Sequence, residues 1–153
     1  MIQKSYEGND GILYLIPTPI GNLDDITVRA LKILKQSDFI LCEDTRVTGL
    51  LLKKYEISKK LVRCDEYSQE KVKNVVLNAL ADKKTVGLVS DAGSPIISDP
   101  GYIVSKYVIE NGYKVVALPG ATAFVPALSV SGVSPSPFTS VSYTHLRAHE
   151  TLM

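Results

Sequence analysis

Ile12 to Ile16 (ILYLI) is an unbroken β-branched and aromatic run closed by Pro17 and Pro19, which predicts a buried strand ending in a stiff loop. Asp24 or Asp25 can cap a helix, along which Ile26, Ala30, Ile33 and Leu34 recur at helical spacing before Asp38 introduces a second apolar run, Phe39 to Cys42. The alternation then continues. Thr45 to Tyr55 suits a helix and Leu61 to Cys64 a strand. Ser68 to Asp82 suits a helix with Val72, Val75, Val76, Ala79 and Leu80 on one face, and Thr85 to Val89 a further strand. Asp99 and Pro100 supply an N-cap and a first-turn proline for a helix ending near Gly112. Lys114 to Leu118 is a fifth strand, and a last helical stretch begins at Ala121.

Five strands alternating with helices predict the α/β class: a five-stranded, mainly parallel sheet with helices on both faces. Such sheets bind ligands at the carboxyl ends of their strands. Three unusual loops follow strands there: PTPIGNL at 17–23, SDAGSPIISDPG at 90–101 and PGATA at 119–123. Past Gly132 the pattern fails. VSPSPFTS is loop-like, and VSYTHLRAHETLM has neither strand nor helix logic. His145 and His149 could be read as an i, i+4 metal pair, but no third ligand is near, so no metal site is expected. YTHLRAHET resembles translated sequencing adapter, which makes 141–153 an expected non-native, unstructured tail.

Composition narrows the class. A chain of 153 residues with 45% hydrophobic and 22% charged residues is globular and has room for one ordinary domain. Seventeen basic against sixteen acidic residues give a formal charge of +1, so a charged partner must be met by a local patch. That patch is the run from Arg46 to Arg63, where Arg46, Lys53, Lys54, Lys59, Lys60 and Arg63 face one acid, Glu56. It suits phosphate contact, or a solvated helix and turn. Cys42 and Cys64 are too few to staple the domain and have no accompanying histidine, so they read as reduced core residues in a cytoplasmic protein. No apolar run approaches the ~20 residues that span a bilayer, and no membrane partner is expected.

The loops match neither GxGxxG nor GxxxxGK[ST], which disfavours a Rossmann dehydrogenase or a P-loop NTPase. Asp91, directly after a buried strand, can accept a hydrogen bond from a ligand ribose or amino group, whereas Asp99 before Pro100 reads as a helix cap. Glu43, Asp44 and Arg46 (CEDTR at 42–46) share the same edge, and could orient a hydroxyl or serve only as a cap and surface ion pair. Asp65 and Glu66 could act as acid or base if one were buried.

Taken together, LYLIPTPIGNLDDIT, LCEDTR, VGLVSDAGSPIISDPGY and VVALPGATAFVPALSVSG closely resemble the ribosomal RNA small subunit methyltransferase I family, within the tetrapyrrole-methylase-like methyltransferases. The resemblance covers residues 11 to about 138. It departs at 64–67, where Cys-Asp-Glu-Tyr replaces a His-Glu-His-like stretch. It implies an S-adenosylmethionine-dependent enzyme that methylates a cytidine ribose 2′-hydroxyl of 16S rRNA in the small ribosomal subunit, homodimeric at full length. Residues 1–120 would be the cofactor-binding domain, and 121–140 a linker and the start of a second domain that the chain otherwise lacks. The chain alone would then be inactive. By match to the family's cofactor loops, Pro19, Ile20, Gly21, Asp91, Ser94, Thr122 and Ala123 would hold the cofactor. Glu43, Asp44 and Arg46 would lie on the substrate side as catalytic candidates, and Lys53, Lys54, Lys59 and Lys60 would meet rRNA phosphates. A non-catalytic fragment, or a related methylase of tetrapyrroles or diphthamide precursors, are the alternatives.

Overall fold

The computed structural model describes residues 10–97 and 99–139. Five strands, β1 (Ile12–Ile16), β2 (Phe39–Cys42), β3 (Lys60–Arg63), β4 (Thr85–Val89) and β5 (Lys114–Ala117), form one sheet in the order β3-β2-β4-β1-β5. All four pairings are parallel. The crossovers are α1 (Val28–Gln36), α2 (Thr45–Lys54), α3 (Gln69–Ala81) and α4 (Tyr102–Glu110). The α/β class and the five-stranded parallel sheet expected from the pattern are therefore what the chain adopts.

Strand period 2 divides the core into two layers. Ile12, Tyr14, Ile16, Ile40 and Val116 pack with Ala30, Ile33 and Leu34 of α1 and Leu52 of α2. Leu13, Leu41, Val86 and Leu88 pack with Val72, Val76 and Leu80 of α3 and Val104 and Val108 of α4. Cys42 and Cys64 are free and buried, and burial pushes the Cys64 thiol up to about 12, so both are core residues as expected.

The local differences from the sequence reading have plain causes. Neither Asp24 nor Asp25 caps α1: both sit in a short 3-10 turn, Leu23–Asp25, capped by Asn22, and the Thr27 side chain accepts the Ala30 amide at the true helix start. Val75 is exposed rather than on the buried face of α3, and Gln69 takes the buried position at its start. Asp99 does not cap α4, whose N-cap is Gly101 with φ +121°.

A second unit begins at Ala123 and contains α5 (Phe124–Val130), where the rings of Phe124 and Phe138 lie 5.7 Å apart. The expectations about 141–153 and the two histidines fall outside the described residues.

Gly49, inside α2, supplies a test of packing. A Cβ there would meet only Leu61 Cδ1, at 3.9 Å, and no positive φ requires glycine. Gly49→Ala is expected to stabilise the fold by roughly 0.5–1 kcal/mol through the lower entropy of its unfolded chain; an unchanged or lower urea midpoint would contradict this.

Candidate active site

The carboxyl edge of the sheet gathers the loops after all five strands, and backbone pairing locks two of them together. Thr18 and Gly93 exchange both amide-to-carbonyl hydrogen bonds at 3.0 Å. The buried Thr18 hydroxyl donates to the Ser90 carbonyl at 3.1 Å, and the Ser90 hydroxyl donates to the Gly93 carbonyl at 3.0 Å. Gly93, at φ +82°, makes this turn possible. The loop after β5 leans on the same base: a Cβ on Gly120 would lie 2.5 Å from Pro17 Cβ. Within the second loop, Ile96 holds φ +79°, a strained conformation for a β-branched residue.

Asp91 stands at the junction. Its Oδ1 accepts the Asp44 amide at 3.3 Å, joining the end of β4 to the end of β2. On one side opens an acidic cleft of about 700 Å³, lined by Glu43, Asp44, Asp65, Glu66, Asp91 and Asp99 with Arg46, Arg63 and Tyr67. On the other lies an apolar groove of about 340 Å³ between Pro19, Gly21 and Leu23 of the first loop and Val47, Leu50 and Leu51 of α2, with Lys54 and again Asp91 at its margin. One carboxylate thus borders both spaces.

The acids of the cleft differ in character. Asp44 caps α2, accepting the Arg46 amide at 2.8 Å, and also pairs with the Arg46 guanidinium at 2.6 Å, which holds its carboxyl far below the usual carboxylate range. Asp65 is lowered first by its hydrogen bond from the Ser68 hydroxyl and is paired with Arg63 at 2.7 Å. Glu43 is pushed the other way, first by burial and then by Asp91, Asp99, Asp65 and Glu66. Burial, then Asp91, raises Asp99 as well. Asp44 and Arg46 are therefore paired with each other, and Glu43 is the carboxylate of the CEDTR segment whose proton affinity is raised.

Because folding raises the Glu43 pKa above its ordinary 4.5, its contribution favours the fold at low pH and is lost as pH rises through the folded value. Glu43→Gln is expected to melt above the unmodified protein at neutral pH, with the gap closing towards pH 4. A gap that persists in acid would remove Glu43 from the strained cluster.

The other anticipated residues are distributed unevenly. Pro19, Ile20 and Gly21 form the wall of the first loop, with Pro19 buried and Ile20 exposed. Ser94 follows Gly93 in the second loop, and Thr122 ends the first unit. Ala123 opens the second unit and is placed with α5. The basic run is divided: Arg46 and Arg63 sit on the carboxyl edge, each paired with an acid, while Lys53 and Lys54 end α2, Lys59 precedes β3 and Lys60 opens it. The two groups are a helix or strand length apart, roughly 10–15 Å. Thr18, Ser90 and Gln69 organise the edge without having stood out as motif residues. Their polar side chains are buried; Thr18 and Gln69 are satisfied by partners far along the chain, which no short window could reveal, whereas Ser90 bonds within its own loop.

Fold and edge together define an α/β domain that gathers its loops, a cleft and a groove at the carboxyl ends of a parallel sheet, where sheets of this kind bind ligands. A family model described as Tetrapyrrole (Corrin/Porphyrin) Methylases matches residues 12–152, and the chain belongs to that family. Its curated relatives include proteins named ribosomal RNA small subunit methyltransferase I. The one from Streptococcus pyogenes serotype M6 is 48% identical over 139 residues, 89% of this chain and 48% of the relative. That from Halalkalibacterium halodurans is 44% identical over 143 residues, 92% of this chain and 50% of the relative. The chain spans about half the length of these relatives. Among solved structures, uroporphyrin-III-C-methyltransferase from Thermus thermophilus superposes with a TM-score of 0.59 at 19% identity, covering 83% of this chain and 55% of that one. The form of that enzyme complexed with S-adenyl homocysteine gives 0.57 at 22%, covering 78% and 51%. At these identities the likeness is one of fold.

Among the described residues no group of three or more His, Cys, Asp or Glu side chains is arranged to hold a metal ion, and no helix is long and apolar enough to cross a membrane.

Proposed function

We propose that this chain forms the donor- and acceptor-binding edge of an S-adenosylmethionine-dependent methyltransferase acting on the 2′-hydroxyl of a cytidine in the 16S rRNA of the small ribosomal subunit, a cytoplasmic enzyme working as a homodimer at full length. Relatives at 44–48% identity bearing the rRNA methyltransferase name support the substrate class. The observation that carries the reading is the position of Asp91, shared by a cleft rich in carboxylates and an apolar groove. A sulfonium donor is a cation with apolar and polar parts, and it fits walls of this chemistry better than a phosphate anion would. When bound, it supplies an electrophilic methyl carbon.

The chain's own residues then have distinct tasks. The zippered first and second loops present Pro19, Ile20, Gly21, Asp91 and Ser94 as a fixed surface, and Thr122, at the end of the same unit, and Ala123 are assigned to the donor by their match to the family's third cofactor loop. Such rigidity matters because transfer needs donor and acceptor held at about 3–3.5 Å. Glu43 takes the proton of the attacking hydroxyl, its raised affinity moving it towards the range useful to a base. Asp44 and Arg46 hold the start of α2 beside it.

Tritiated methyl incorporation into undermethylated small subunits, using the chain together with the native second half of its relatives' length, tests the reading. Labelled 2′-O-methylcytidine is the expected product. Incorporation into a tetrapyrrole instead would overturn the substrate, and no transfer at all would overturn the activity.

Lys53, Lys54, Lys59 and Lys60, set away from the acidic cleft, serve rRNA phosphates on this reading. Neutralising them is expected to weaken subunit binding and reduce its salt slope by about 0.7–0.9 per lost contact. An unchanged slope in a filter-binding titration would make the run a solvated face.

A further inference from the structure

We propose that Gln69 is a positioning residue, a neutral clamp that holds the loop after β4 against the loop after β3 and so sets the spacing of the carboxylates around the acidic cleft. Its side chain is buried at the first position of α3, and one oxygen, Oε1, accepts two amides of the facing helix start: Gly101 at 2.9 Å and Ile103 at 3.2 Å. Gly101 is the N-cap of α4 and has no side chain to satisfy these amides itself. The cap is thus supplied from another element, 32 residues away.

The clamp is anchored on its own side too. Immediately before it, the Ser68 amide and hydroxyl both donate to Asp65 Oδ1, at 2.9 and 2.7 Å, and the Asp65 amide donates to the Ser68 hydroxyl at 2.8 Å. A continuous set of bonds therefore runs from Asp65 through Ser68 and Gln69 to Gly101, two residues beyond Asp99. Asp65, from the loop after β3, and Asp99, from the loop after β4, both line the cleft, and Glu66 lies inside the braced turn.

Such a brace has work to do because like charges drive these walls apart. Glu43 has Asp44 and Arg46 beside it in its own loop. From the end of β3 it faces Arg63, Asp65 and Glu66, and from the loop after β4, Asp91 and Asp99. Arg46 is paired with Asp44 and Arg63 with Asp65, so of the six carboxylates lining the cleft four are left with both guanidiniums already engaged. A clamp with a formal charge would add to the imbalance, whereas an amide oxygen holds both N–H groups without doing so. Loosened, the loops would separate and Glu43 would lose part of the burial, and with it the crowding by Asp91, Asp99, Asp65 and Glu66, that raise its proton affinity.

The proposal rests on the methyltransferase reading only where transfer is measured. In the full-length protein, Gln69→Met keeps length and shape but removes the acceptor, and Gln69→Glu keeps the acceptor. The 13C-detected titration of the Glu43 carboxyl is expected to move to lower pH in Gln69→Met and to stay at or above the unmodified value in Gln69→Glu. The acidic limb of the methylation pH profile is expected to follow, with kcat falling more than KM rises. In the unmodified protein, the Gly101 and Ile103 amides are expected to exchange with solvent more slowly than that of Tyr102. An unshifted Glu43 titration in folded Gln69→Met, or equal exchange of the three amides, overturns the clamp. Should Gln69→Met not fold, the exchange measurement alone decides. If the unmodified protein transfers no methyl group, the functional reading fails, and titration and exchange still judge Gln69.

Discussion

Alanine at Asp91 is expected to lower the affinity of the full-length protein for S-adenosylmethionine by about one to two orders of magnitude, the range set by losing a hydrogen bond to a charged group. The fold should barely notice. Asp91 contributes one long hydrogen bond, from the Asp44 amide at 3.3 Å, worth about 0.5–1.5 kcal/mol, and its removal relieves crowding with Glu43 and Asp99. Titration calorimetry and a thermal melt separate the two effects. An unchanged dissociation constant would take Asp91 out of the donor site, and a collapsed melting temperature would make it a structural tie between β2 and β4.

What the sequence made legible follows from the range of each interaction. The strand runs and the helices with apolar faces are local patterns, and they appear within a few residues of their expected bounds. The three loops at the carboxyl edge were equally visible, because a parallel sheet puts every strand's exit on one side. Strand order was not: β4 lies between β2 and β1, a placement decided by which apolar faces meet rather than by any window of the chain. Asp99 shows the same limit. Asp-Pro is a good local cap signal, yet the α4 amides are taken by Gln69 from a neighbouring helix, and Asp99 is left to line the cleft. The basic run from Arg46 to Arg63 looked continuous because the chain reverses within it. α2 runs away from the carboxyl edge and β3 returns to it, so the arginines at its two ends meet acids while the lysines gather at the far turn.

Gly120→Ala is expected to be the most damaging of the small substitutions on this edge. A Cβ at Gly120 would stand 2.5 Å from Pro17 Cβ and 2.9 Å from Pro17 Cγ, distances at which something must move. A proline ring has no alternative rotamer to swing aside. The backbone on either side is also restrained, because Pro119 precedes Gly120 and Thr18, next to Pro17, is bonded to Gly93 through both backbone groups. The third loop must therefore lift from the first, or the first must pull on the second. Overpacking of this kind costs typically about 1–3 kcal/mol, a fall of several degrees in melting temperature for a unit of this size. Thr122, two residues on, would move with the lifted loop, so donor affinity in the full-length protein should drop by more than the loss of stability alone explains. Gly112→Ala is the control: its φ of +80° makes alanine strained, but nothing lies within 4 Å of the added Cβ and it precedes the opposite, amino end of β5. That variant should lose stability and keep its donor affinity once folded. Equal binding losses in the two variants would show that the contact between Gly120 and Pro17 does not shape the site.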